Sequence, residues 1–291
     1  MIMKRISFVL LLSVVGTGAF AQQANLNNST KPNSVATEKP LDGHFKKDNI
    51  LNAKVTPYAH LREADVMFQK RIWREIDLRE KMNSIFTSPK SRLIDVIMEA
   101  VMAGELTAYD ATPGKGAAGD EFSNILKPEQ VMGKLADSVL IPEFNANGEQ
   151  IGSRMSAGEF NPDSIVRFQL KEDWIFDKQR SIYEPRIIGI APMVKIKAAG
   201  QDLGEVPAFW IYFPEARHVF VTKEVVSRSN DATGLSYDDM FMKRLFSSYI
   251  VKESNPEDLR IKDYAQGIDK LYESERVKKE LLDYEHDLWS Y

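Results

Sequence analysis

The sequence predicts an α+β domain: an antiparallel, meandering sheet with helices near its N-terminal part and at its C-terminus. Three observations carry that reading. Apolar and polar residues alternate across Val66–Met82, the period of a half-buried strand. Between about residues 139 and 221, short extended runs are separated by turn residues rather than by helices, which favours antiparallel neighbours over βαβ units. Helix signals gather instead at residues 91–103 and again after Ser236.

Taken in order, residues 1–21 form an export signal. Lys4 and Arg5 precede a greasy run, Ile6–Val15, and Ala19-Phe20-Ala21 gives an A-x-A cleavage site between Ala21 and Gln22. The apolar run falls short of the ~20 residues a membrane span needs. Residues 22–55 are rich in Asn, Ser, Thr, Lys and Pro, too polar to offset their ordering entropy, and read as a flexible leader that could fold on binding a partner. Residues 56–291 are globular in texture, as one domain or as two sublobes split near 138–160.

In Val66–Met82 six of the nine even positions are apolar, against Met67 and Trp73 alone among the odd ones. A strand fits better than a helix, although Glu75–Arg79 and Asp77–Lys81 are well-oriented helical pairs. Ser91–Ala103 carries the helical stripe Leu93, Ile94, Ile97, Ala100 and Val101, with Gly104 placed to cap it. Glu105–Tyr109 reads as a short strand, Ala111–Asp120 as a Gly-rich loop and Lys127–Asp137 as a short helix. Asn147-Gly148 signals a hairpin within Val139–Met155. Further strands are expected at Ile165–Leu170, Trp174–Asp177, Arg186–Ile190, Val194–Lys197, Phe209–Phe213 and Val219–Val221. Ser236-Tyr-Asp-Asp239 resembles a capping box at the head of a helix through MFMKRLFSSYI. Asn255-Pro256 opens a last helix toward Tyr284, with Ile268, Leu271, Val277 and Leu281 among its apolar residues.

Composition narrows the chemistry. The chain has no cysteine, which removes disulfides, thiol catalysis, cysteine-ligated metals and a lipid-attachable N-terminal Cys. Net charge is −4, and the signal holds Lys4 and Arg5 without an acid, so the mature chain stands near −6. Nucleic-acid binding calls for basic stripes and is not indicated. Gly114-Lys-Gly116-Ala-Ala-Gly119 matches GxGxxG by letter, yet Pro128 interrupts the helix a dinucleotide site needs, so the residues read as a loop. Glu143, Asn145 and Asn147 mimic an EF-hand start, but Arg154 holds the position of the bidentate Glu. His44, His60, His218 and His286 are scattered, and Ser156-Ala-Gly158 lacks the preceding Gly of a nucleophile elbow. No catalytic constellation, cofactor site or metal site is legible.

The blocks RIWREIDLREKMN, SRLIDVIMEAVMAGELTAYD, RSIYEPRIIGIAP, PAFWIYFPEARHVF, SYDDMFMKRLFSSYIVKESN and EHDLW, in that order, run from about Tyr58 to Trp289. Together they resemble the gliding-motility and type IX secretion family GldN, called PorN in some Bacteroidetes. The resemblance implies a periplasmic, non-enzymatic protein held at the outer membrane by the lipoprotein GldK (PorK), with which it builds a homo-oligomeric ring. It further implies contact with the periplasmic part of GldM (PorM), and it carries no catalytic residues to transfer. An exported hydrolase or a cell-wall-binding module is the alternative, and would need carboxylates facing one another across a groove.

The densest charge lies in RIWREIDLREKMN. As a strand it turns Ile72, Ile76 and Leu78 inward, and Arg71, Trp73, Glu75, Asp77, Arg79 and Lys81 share the other face. These six, with Arg74 and the C-terminal Trp289, are the partner-interface candidates, because charges of both signs beside a Trp suit recognition. An intramolecular sheet surface whose charges pair with a neighbouring element explains the same residues.

Overall fold

In the computed structural model the described residues are 48–114, 119–136, 138–144, 150–157, 160–198, 201–226 and 234–288, all within one unit, residues 47–291. The signal, its Ala21–Gln22 junction, residues 22–47 and Trp289 lie outside them. The order is α1 (Asp48–Leu51), β1 (Val66–Asp77), α2 (Leu93–Ala103), β2 (Ala108–Asp110), β3 (Ile125–Leu126) and α3 (Pro128–Leu135). Then come β4 (Ser138–Phe144), β5 (Gln150–Ala157), β6 (Arg167–Asp177), β7 (Ile182–Ala198), β8 (Gln201–Pro207) and β9 (Phe209–Tyr212). The chain closes with α4 (Phe213–Phe220), α5 (Tyr237–Met242), β10 (Tyr249–Glu253), α6 (Ile261–Tyr264) and α7 (Asp269–Asp287).

Among the described residues eight strands form one sheet in the order β10-β1-β6-β7-β9-β2-β3, with β8 paired to β7. Every pairing is antiparallel, as the turn-separated runs predict. β4 and β5 pair separately as the expected hairpin; its Asn147-Gly148 turn lies outside the described residues.

The alternation in β1 does mark a strand, but one buried on both faces toward its end. Ile72 and Ile76 face one side, aligned with Glu172 and Phe168 of β6, while Trp73 and Glu75 face the other beside Lys171 and Gln169. On the first side α2, α4 and α5 cover Phe168, Leu170, Ile190 and Ile211 to make the main core. Rings of Phe86, Phe213, Phe220 and Phe241 pack there at centroid distances of 5.4–5.8 Å. Toward the β10 edge the same side is covered by α6 and α7, with Ile72, Ile250, Ile261, Val277 and Leu281 in a smaller core.

Several expectations need correction. The segments at 165–170 and 174–177 are one strand, as are those at 186–190 and 194–197. The charged trio Lys171-Glu172-Asp173 mimics a turn, yet each member is buried with a partner and the strand runs through. Val219–Val221 lies at the end of helix α4 rather than in a strand. Pro214 near its start and buried Phe213, Ala216, Val219 and Phe220 give the helical period. Helix α5 has the capping box, Ser236 with Asp239, but stops at Met242, and Tyr249 and Ile250, the last residues of the expected helix, open edge strand β10 (Tyr249–Glu253). Asn255 caps a turn, accepting a hydrogen bond from the Leu259 amide at 2.9 Å, so helix resumes only at Ile261. The helix expected after Ser91 is confirmed, closed by Gly104 in the left-handed region at φ 75°.

Candidate functional site

The charged strand is tied to its neighbours residue by residue. Because side chains directly opposite in a sheet lie about 5 Å apart, the register decides which charges meet. Arg71 faces Asp173, and its guanidinium donates both arms to the carboxylate at 2.7 and 2.9 Å, a strong fork geometry. Gln69 adds a third hydrogen bond to Asp173 at 2.7 Å.

Trp73, expected among exposed charges, is buried under the loop that follows β2. Its indole N–H donates to Asp120 at 2.7 Å, and Lys171 donates to the Asp120 carbonyl at 2.7 Å. The ammonium of Lys252 lies 4.4 Å from the Trp73 ring centroid, a favourable cation–π distance. Ala111, Ala191 and Trp210 complete the packing. Phe122 closes so tightly over Gly189 that an added Cβ there would stand 2.7 Å from the ring. Burial pulls the Lys171 ammonium below its usual range, with Asp120 acting against it.

Arg74 points to the helix-covered side. It donates to Ser248 at 3.0 Å and stands 3.6 Å from Glu172, which is wholly buried. Glu172 also accepts from Arg244 at 2.9 Å and from the Trp174 indole at 3.0 Å, so one carboxylate serves two guanidiniums. Burial lowers the Arg74 pKa, and Glu172 opposes that shift. Arg244 holds a left-handed backbone at φ 52°, uncommon for a residue with a side chain.

Glu75 accepts from the Tyr249 hydroxyl at 2.6 Å; burial first, and the Glu75 charge second, push that phenol well above its usual range. Asp77 accepts from Arg79 at 2.9 Å and from Arg167 at 3.3 Å. The Arg79 bond above all holds its carboxyl well below the usual carboxylate range, against the upward push of burial. The interface candidates that keep substantial exposure are Arg71, at 39% of its side chain, Arg79, at 65%, and Lys81.

The partners Asp120, Glu172, Asp173 and Tyr249 carry no motif. The one sequence signal was the trio Lys171-Glu172-Asp173, complementary in sign to the Arg-rich β1. Asp238 and Asp239, assigned to capping, divide the work: Asp239 caps α5, whereas Asp238 takes a two-armed Arg217 at 2.7 and 3.0 Å. Tyr58 stacks on Arg217 and Arg186 at 4.9 and 5.2 Å, fastening the chain just ahead of β1. Among the described residues no three His, Asp or Glu side chains gather as a metal site, and no described helix is long and apolar enough to cross a membrane.

No curated protein matches the chain. A family model does: that of the gliding motility associated protein GldN matches residues 61–290. The match takes in the sheet, both cores and the whole paired face of β1, so the chain belongs to the GldN family of gliding motility associated proteins.

Proposed function

We propose that this protein is a non-enzymatic structural subunit of the type IX secretion apparatus, serving protein secretion and gliding motility. In this reading it is exported to the periplasm and builds a ring beneath the outer membrane with a GldK-like (PorK-like) lipoprotein. That ring meets the periplasmic part of a GldM-like (PorM-like) protein. The observation that carries the reading is the GldN match across residues 61–290. The signal read at residues 1–21 supports the location, and a sequence without cysteine agrees with attachment through a lipidated partner. The chemistry agrees: the acids of the charged strand are engaged by Arg79, Arg167 and Tyr249, which stiffens a scaffold.

The test is to express residues 22–291 alone and with the GldK-like lipoprotein, then size both preparations and image them by negative stain. A closed ring or a stable co-complex is the expected result. A monodisperse monomer indifferent to the lipoprotein would overturn the proposal.

A further inference from the structure

A cleft of about 570 Å³ opens between the β10 edge of the sheet and the α6–α7 segment, a volume in the range that holds ligands or side chains of a bound segment. Two of its charged residues are already committed to each other, Arg167 and Glu205 at 3.0 Å. Glu75 accepts from Tyr249. The other three, Arg260, Lys262 and Lys270, have no ion-pair partner among the described residues. The cleft is therefore net positive on a chain that is net negative.

The same place leaves apolar surface uncovered. On α7 the stripe Leu271, Ser274, Val277 and Leu281 runs at helical spacing; its last three members are buried, but Leu271 hangs over the cleft 57% exposed. Ile268 and Tyr272 beside it are 63% and 67% exposed. Large apolar side chains exposed side by side in this way offer surface that a partner can cover.

We infer that this cleft docks an acidic segment of another protein, one that places carboxylates on Arg260, Lys262 and Lys270 and apolar side chains on Leu271 and Ile268. Inorganic phosphate would leave the apolar stripe bare, and a flat anionic bilayer meets a concavity poorly. The inference rests on the cleft alone and holds whether or not the ring forms.

Residues 22–291 are titrated by fluorescence anisotropy against a labelled amphipathic peptide of Glu and Leu, a counterpart with Lys for Glu, and one with Ser for Leu. The Glu-Leu peptide is expected to bind, more weakly as salt rises. The other two peptides, and the Lys262→Glu/Lys270→Glu variant, are each expected to bind at least about tenfold more weakly. An unchanged melting curve shows that the variant is folded. The inference fails if the Glu-Leu peptide does not bind, if the Lys-Leu peptide binds equally, or if the variant keeps full affinity. It also fails if sedimentation finds a dimer that the same variant dissolves, since the occupant is then a second copy of this chain.

Discussion

Two stretches of this protein look alike on paper and behave differently in the fold. RIWREIDLREK, at residues 71–81, and RIKDYAQGIDK, at residues 260–270, both mix cations, acids and large apolar residues. In the first, the charges within the strand are engaged inside the protein: Arg71 by Asp173, Arg74 by Glu172, Glu75 by Tyr249, Asp77 by two arginines. In the second, Arg260, Lys262 and Lys270 stand around a cleft without ion pairs among the described residues. The difference is topological. Central strand β1 has β6 opposite each position from Phe68 to Asp77 and β10 opposite Ile72 to Glu75, whereas the short helix and turn at the sheet edge have no such neighbour strand. Charge density alone therefore does not mark an interface.

The sharpest way to break this contrast is at Glu172. Changing Glu172→Gln keeps the volume and an acceptor for the Trp174 indole, but strands the cation of Arg74, whose side chain is 9% exposed. Removing one member of a buried pair costs about 3–5 kcal/mol. Arg244 keeps 28% exposure and can turn toward water, so the lower end, about 3 kcal/mol, is expected in urea unfolding. A loss below about 1 kcal/mol would show that the charges of β1 are as dispensable as surface pairs.

A smaller effect is expected at Asp77, and it depends on pH. Its carboxyl lies well below the usual range in the folded protein, so its stabilisation is complete above the unfolded value near 4 and is lost as pH falls below it. Arg79, its chief partner, is 65% exposed, and water screens the pair. Asp77→Asn should thus cost about 1 kcal/mol at neutral pH, and the gap to the unaltered protein should narrow steadily as pH falls from about 4 toward 2. Urea titrations of both proteins across that range decide the matter; curves that stay parallel would mean that Asp77 contributes no proton-linked stability.

Fold class and the strand character of β1 were legible because alternation and capping are local. Helix α2 with Gly104, the capping box at Ser236 and the β4–β5 pairing were found on the same grounds. What local pattern could not supply was the partner across the sheet. Lys171-Glu172-Asp173 reads as a turn until Arg74, Asp120 and Arg71 are seen to pair with it. Trp73 reads as exposed until the loop bearing Asp120 folds over it. Of the four apolar residues named in the last helix, Val277 and Leu281 are buried, but Ile268 and Leu271 at the start of α7 remain largely exposed, Leu271 at the lip of a cleft.

The smallest effect is expected where the charges are unspent. Lys262 and Lys270 are exposed, and Lys270 is the second residue of α7. A cation there opposes the positive end of the helix dipole, at a cost of up to a few tenths of a kcal/mol. Replacing both by Ala should therefore change unfolding free energy by no more than about 0.5 kcal/mol, with any shift tending toward greater stability. A loss above about 1 kcal/mol would make these lysines structural and erase the contrast with β1. If the change is neutral, folding gives no reason for cations at that helix start. An acidic segment seated over Leu271 would supply one.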